Sequence, residues 1–462
     1  MTRFMRFCAA VALFSLQAAA GEGPPDAGMS LREAVNYALE HSPDLKSAQA
    51  EVRRREGMVT TAHSFLMPQV DLSADAGHSR FDHGYPAGTP PSLLRFDTTL
   101  FTAGADLKYL AWDFHKTELE LDAAREHVAV ARAAVDRRRQ EIIFETARLY
   151  LQSQAYTDLI GAAEARIKSL QSLLDRTNQL IQGGRAVPVD ALKIQTRLAQ
   201  VESDLATLRS GRRTSLSALA AVMGFEGELP EPAYMPATSQ LPPPPEPESD
   251  LLRQAAAGRP ELASQDHEIR ASERTEEAAR KSALPRIDFR ASAIQYGSIS
   301  PAGFPELIGK LLPSFPANAP SPGNAATDWF VGAHLSFPLF DGGRRKGQIE
   351  AAHAQLEEAR LARRQLELRI AREVRTALAD LESAAGRVQA LRESVAESER
   401  VLHDEQLKFE AGRSVINFVL DAESALLTNQ SLLSQAQRSV AIANLALDLS
   451  AGKIDPARLP DR

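Results

Sequence analysis

The residues able to do covalent chemistry are few and scattered. The only cysteine, Cys8, lies within the first twenty residues, so the rest of the chain has no disulfide, no thiolate metal ligand and no cysteine nucleophile. The ten histidines do not cluster. His78 and His83 share what reads as a loop, but neither belongs to a metal-ligand pattern. Gly183-Gly184 and Gly342-Gly343 lack the Gly-Lys-Ser/Thr ending of a phosphate loop, and turn geometry accounts for them. No metal, no cofactor and no enzymatic activity are expected. What does recur is a Gly-Arg pair: Gly184-Arg185 and Gly412-Arg413 stand 228 residues apart. Each arginine follows a long helical stretch, whose C-terminal dipole end favours positive charge.

The first of those stretches runs from Asp113 to Gln182, about seventy residues without proline and with one glycine, Gly161. Ala, Leu, Glu, Gln and Arg dominate it, the residues that lose least on entering a helix. At about 1.5 Å per residue such a helix is roughly 100 Å long, far beyond the span of a globular core. Ala163, Ile167, Leu170, Leu174, Thr177 and Ile181 step by four and three residues, the spacing of a coiled-coil seam. A plain coiled-coil rod would explain this stretch alone. Its flanks point elsewhere.

Ser30 and Glu33 form a capping-box pattern for a short helix ending near His41. Pro43 opens a second helix, which Met67-Pro68 stops. From Gln69 to Ala76 the period becomes two: Val70, Leu72, Ala74 and Ala76 alternate with Asp71, Ser73 and Asp75. A loop is expected at about 78–97. Alternation then resumes, with Phe101, Ala103, Ala105, Leu107, Tyr109 and Ala111 against Thr102, Gly104, Asp106 and Lys108. After Gly183-Gly184, Pro188 starts another helix, to about Met223. Residues 224–250 form a linker, stiffened at Pro242-Pro243-Pro244-Pro245. Then the pattern restarts. Pro43 and Pro68 recur as Pro260 and Pro285, both 217 residues on. Asp113, Glu145 and Gly184-Arg185 recur as Asp341, Glu373 and Gly412-Arg413, 228 on, so the second inter-strand loop holds eleven extra residues. This is a tandem duplication. The segments are a signal peptide at 1–20, a first repeat at 21–223, the linker at 224–250, a second repeat at 251–451 and a tail at 452–462.

Arg3 and Arg6, the apolar run from Phe7 to Leu16 and Ala18-Ala19-Ala20 make that secretory signal. Its removal takes the formal charge from −7 to −9, which argues against nucleic acid as a partner. No other stretch holds eighteen continuous apolar residues, so an exported chain of this kind enters a membrane, if at all, as β-structure. Four strands, apolar on one face and polar on the other, match a membrane barrel wall. Four cannot close a barrel, and open edges in lipid leave backbone groups unpaired at several kcal/mol each. Closure therefore calls for further copies: two would give a narrow filled barrel, three a wider one with room for a channel. A soluble sandwich on a helical stalk would have little core.

In this ordered set the chain resembles the TolC-like outer-membrane efflux family, over about residues 27–452. The resemblance rests on the duplicated Pro-x-Leu helix starts, the Leu/Met-Pro strand entries, and two tips. These tips are Gly184-Arg185-Ala186-Val187-Pro188-Val189-Asp190-Ala191-Leu192 and Gly412-Arg413-Ser414-Val415-Ile416-Asn417-Phe418-Val419-Leu420-Asp421-Ala422. It implies an α+β membrane protein: a homotrimer whose twelve-stranded barrel sits in outer-membrane lipid and continues as a long periplasmic α-helical barrel. It also implies the function of an exit duct in a tripartite efflux pump or type I secretion system, with a periplasmic adaptor and an inner-membrane transporter as partners. Gly184, Arg185, Val187, Gly412, Arg413 and Val415 are then adaptor-docking residues. Asp421 matches a place where relatives carry an acid at the periplasmic constriction, and Phe418 stands where some carry another acid, which implies a partly hydrophobic gate. A periplasmic coiled-coil adaptor is the competing reading, although no lipoyl-like or β-barrel domain interrupts the helices.

Overall fold

The computed structural model describes residues 28–82, 95–184, 186–227, 229–230, 232–236, 243–299, 326–411 and 413–459. The expected signal segment, His83, Arg185 and Gly412 lie outside them. The elements are α1 (Leu31–His41), α2 (Pro43–Ser64), β1 (Gln69–Asp82), β2 (Arg95–Trp112), α3 (Lys116–Gln182), α4 (Pro188–Met223), α5 (Glu248–Gly258), α6 (Pro260–Lys281), β3 (Arg286–Ile299), β4 (Ala326–Ser336), α7 (Arg344–Glu410) and α8 (Ile416–Ser450), closed by a 3₁₀ turn at Pro456–Arg458. The duplication is visible in their lengths. α1 and α5 have 11 residues each, α2 and α6 have 22, β1 and β3 have 14, and α3 and α7 have 67.

The chain divides into two compact units. One comprises Asp44–Arg138 and Leu252–Glu373. It holds a four-stranded antiparallel sheet in the order β1-β2-β3-β4. Asp71 pairs with Asp106, Asp106 with Ser292, and Asp288 with His334. Pairing carries β1 to Asp82 and β2 back to Arg95, so His78 sits in a strand and the expected loop is shorter. The backbone ladder continues where side-chain alternation fades, because ladder hydrogen bonds do not need it.

Register puts Val70, Leu72, Leu107, Phe289, Trp329, Val331 and Leu335 on one face of the sheet. Among the described residues nothing covers that face: Leu72 is 83% exposed and Trp329 76%. Below the strands, α3, α6 and α7 bury small residues, among them Ala123, Ala131, Ala271, Ala278, Ala352 and Ala359, which lets helices approach closely.

The strand-to-helix corners are duplicated too. At the first, Asp113 Oδ2 accepts the Thr117 amide at 2.9 Å and its hydroxyl at 2.5 Å. Phe114 and His115 adopt positive φ, 58° and 66°, so α3 starts at Lys116 rather than Asp113. At the second, Asp341 accepts the amides of Gly343 and Arg345 at 3.2 and 3.1 Å. Here the positive-φ residues are Gly342 and Gly343, at 64° and 90°.

The other unit comprises Met1–Pro43, Arg139–Leu251 and Val374–Arg462. Ser30 caps α1 as a capping box, its hydroxyl accepting the Glu33 amide while Glu33 accepts the Ser30 amide. Val35 and Ala38 are fully buried with Ile143, Tyr150, Leu219 and Met223. Gly224 ends α4 with φ 70°, and a Cβ there would meet the His41 carbonyl oxygen and Pro43 Cδ at 2.8 Å. Only glycine fits that place.

Candidate functional site

The two helical hairpins, α3–α4 and α7–α8, turn within the second unit. α3 ends as Gly183 and Gly184 donate to the carbonyls of Gln179 and Ile181, with Gly184 at φ 70°. Val187 then extends (φ −104°, ψ 147°) as the N-cap of α4, with Pro188 in the first turn. The second tip repeats this: Arg413 N–H donates to the Lys408 carbonyl at 2.8 Å, and Val415 (φ −100°, ψ 152°) caps α8. Valines cannot cap through their side chains, and both stand clear of the protein, 54% and 57% exposed. An apolar residue where Ser, Thr or Asp would serve the helix better suits contact with another surface.

The hairpins are held together by a small core of Leu170, Ile194, Val201, Ile416 and Val419, with Ala163, Ile167 and Leu174 packed against it. Leu170 and Thr177 of the heptad seam are fully buried. Polar ties flank this core. Lys193 Nζ donates to Asn417 Oδ1 at 3.0 Å, and Arg197 donates to the Ser424 hydroxyl. Glu423 is buried near Arg166 and Arg197, and one of its carboxylate oxygens has no partner among the described residues. Burial pushes its carboxyl up, against the pull of Ser169, Arg166 and Arg197.

Phe418 and Asp421 lie one turn apart on the exposed side of α8, opposite Ile416, Val419 and Ala422. Phe418 is 58% exposed. Together with Val415, Arg413, Ser414, Glu405 and Lys408 it lines an open hollow of about 460 Å³. In its wall Glu405 accepts from Lys408 at 2.7 Å and from Ser414 at 2.8 Å, and these two donors hold its carboxyl below the ordinary range. Of the anticipated site residues, the structure thus brings Arg413, Val415 and Phe418 around one hollow. Gly184 and Val187 form the separate turn of the other hairpin, and Asp421 stands one turn further along α8.

A second polar node was not singled out in the sequence. Arg438 (4% exposed) pairs with Asp158 at 3.0 Å and donates to the Met235 carbonyl at 2.6 Å. Ser434 and Tyr234 also donate to Asp158, each at 2.9 Å. Tyr150 donates to Ala233 O at 2.7 Å, and Gln154 both donates to Ala233 and accepts from the Met235 amide. Part of the expected linker is therefore fastened to α3 and α8. A signal was present: Asp158 is the only charge between Arg148 and Glu164, and Arg438 the only one between Glu423 and Asp448. Lone charges on otherwise uncharged helix stretches tend to find each other, since unpaired burial is costly.

Among the described residues there is no group of acids, histidines or cysteines fit to hold a metal, and no helix long and apolar enough to cross a membrane. Among the described residues the sheet's apolar face is uncovered and its outer strands, β1 and β4, each pair on one side only, which marks a component built to close within a membrane. CmeC, the outer membrane channel of Campylobacter jejuni, has the same fold (TM-score 0.74, 16% identity, 93% of this chain and 88% of that one). The chain belongs to the outer membrane efflux protein family, whose profile it matches over residues 34–225 and 251–453. It is 23% identical over 430 residues to the outer membrane efflux protein BepC of Brucella suis, covering 93% of this chain and 87% of BepC. It is 22% identical over 435 residues to the alkaline protease secretion protein AprF of Pseudomonas aeruginosa, covering 93% and 86%. Membership of this family displaces the adaptor reading.

Proposed function

We propose that three copies of this chain form the outer-membrane exit duct of a tripartite export system, with no catalytic step of its own. The observation that carries the reading is the sheet: among the described residues its apolar face is bare and both its edges are unpaired, a condition tolerated in lipid only when the sheet closes. Three copies supply enough strands for a wet lumen. Gly184, Arg185, Val187, Gly412, Arg413 and Val415 form the docking tips for a periplasmic adaptor, which links the duct to an inner-membrane transporter. The exposed valine caps support that role. Phe418 and Asp421, on the exposed side of α8, form the periplasmic gate. Relatives named for efflux and for protease secretion leave both cargo classes open to a duct of this kind.

The test is direct. Detergent-extracted protein is expected to run as a trimer, to fractionate with the outer membrane and to raise the conductance of planar bilayers. A monomer in the soluble periplasmic fraction would refute the reading.

A further inference from the structure

If copies of this chain close a barrel, as proposed above, the β4 edge of one must meet the β1 edge of the next. The duplication says in which register. β3 is β1 carried 217 residues along the chain, and β4 is β2 carried 228. Those offsets turn the pair Val70–Leu107 into Ile287–Leu335, Asp71–Asp106 into Asp288–His334, and Ala74–Ala103 into Ala291–Val331. Each resulting pair is the one observed in the second hairpin. The two hairpins have thus kept one register although their loops differ by eleven residues.

The β2–β3 junction joins the outgoing strand of one repeat to the incoming strand of the other. Its counterpart under the same offsets runs from β4 to β1 of another molecule. We propose that a second copy of this chain docks its β1 on β4 in the register that β2–β3 carries over. Ala105–Ala293 becomes Ala333 against Ala76 of the next copy, and Leu107–Ala291 becomes Leu335 against Ala74. On the polar face, Asp106–Ser292 becomes His334 against Asp75, and Gly104–Ile294 becomes Gly332 against Gly77.

Three features that played no part in the transfer agree with it. The apolar face runs on unbroken across the seam, whereas a one-residue slip would turn Asp75 toward lipid. His334, already opposite Asp288 in its own chain, gains a second carboxylate neighbour; a two-residue slip would give it Ser73 or Gly77 instead. The Phe330 ring lies over Gly332, 2.8 Å from where a Cβ would be, and Gly77 on the facing strand leaves that ring room, a filling of glycine by an aromatic known to steady sheets.

With Cys8 the only cysteine, paired substitutions test this cleanly. Ala76 and Ala333 lie on the outer strands of one sheet, which two intervening strands hold roughly 14 Å apart, and the two residues are further offset along those strands, so any disulfide between them joins two molecules. Ala76→Cys is combined with Ala333→Cys, and separately with Val331→Cys or Leu335→Cys. Each protein is oxidised in native membranes and run on non-reducing gels. Directly opposed residues fall within disulfide reach and diagonal ones do not. Covalent dimers and trimers are therefore expected with Ala333→Cys, about tenfold over either slipped pair. Strong bands from a slipped pair would overturn the register while leaving the assembly intact. No bands from any pair, with the wild type still trimeric, would overturn β4–β1 as the seam. No bands from a protein that is monomeric would overturn the trimer itself.

Discussion

Arg438 and Asp158 hold the linker, and removing one of them should release it. Arg438→Met keeps the apolar stem but leaves Asp158, one-tenth exposed, facing only the hydroxyls of Tyr234 and Ser434. It also uncovers the Met235 carbonyl. Breaking a buried pair from one side costs about 3–5 kcal/mol, because the remaining charge stays desolvated. That cost falls on the closed state of the segment, so its open population should rise by roughly a hundredfold or more. Where opening is fast relative to cutting, proteolysis follows that population. Limited digestion, with the cut sites read by mass spectrometry, should show Arg438→Met cleaved within residues 224–250 roughly a hundred times faster than wild type. Asp158→Ala should behave alike. The double variant Asp158→Leu/Arg438→Met buries neither charge alone and should recover most of the resistance. Cleavage of Arg438→Met at the wild-type rate, or a double variant cut faster than both singles, would refute the reasoning.

Gly224→Ala combines a left-handed backbone with 2.8 Å contacts to His41 and Pro43, and should lower stability by more than the ~1–2 kcal/mol of the backbone alone. Gly184→Ala has the same φ with nothing within 4 Å and should cost only that smaller amount; urea midpoints compare the two. Burial raises the Glu423 carboxyl, so the native state keeps a proton that the unfolded chain has already lost. Stability from this group is then fullest below the ordinary carboxylate range near 4.3 and falls as pH rises toward the raised value. Glu423→Gln should flatten that part of the pH–stability curve, and an unchanged curve would show that the carboxyl is not desolvated in the assembled protein. At the proposed gate, Arg413→Ser should raise single-channel conductance and Asp421→Ala should weaken cation preference, both read in planar bilayers; no change in either would move the gate elsewhere.

The long helices and the duplication were legible because they are written in local terms: helix-forming residues without proline or glycine, and prolines at fixed offsets. Strand existence was equally plain in Val70–Ala76 and Phe101–Ala111. Strand length was not, since the ladder beyond Gly77 is decided by a partner strand and not by alternation. The start of α3 was misplaced by three residues for a related reason. Asp113 does cap the helix, but Phe114 and His115 take a left-handed turn first, and nothing in those two side chains announces it. The linker read as a stiff extended segment because proline recurs in it, whereas what fastens residues 232–236 is a tyrosine, a glutamine and an ion pair from helices far away in sequence. The tip residues could be named from the sequence. The hollow gathering Arg413, Val415 and Phe418 beside Glu405 and Lys408 needed the hairpin turn.

The two corners between sheet and rod are copies of one another, yet they are not mechanically equal. The first forces Phe114 and His115 into a conformation that costs side-chain-bearing residues about 1–2 kcal/mol each, and it is braced by the Trp112 ring at 5.8 and 5.1 Å from theirs. Few other backbone angles are open to it. The second is built on Gly342 and Gly343, for which many neighbouring angles are nearly as low in energy. On these grounds a torque along α7 is expected to be taken up more at the glycine corner before it reaches β4, and the same torque along α3 to pass more directly into β2. In a closed ring of such chains, rigid and compliant joints would alternate around the circumference, so that half the rods could swivel without loosening the wall that the other half keep taut.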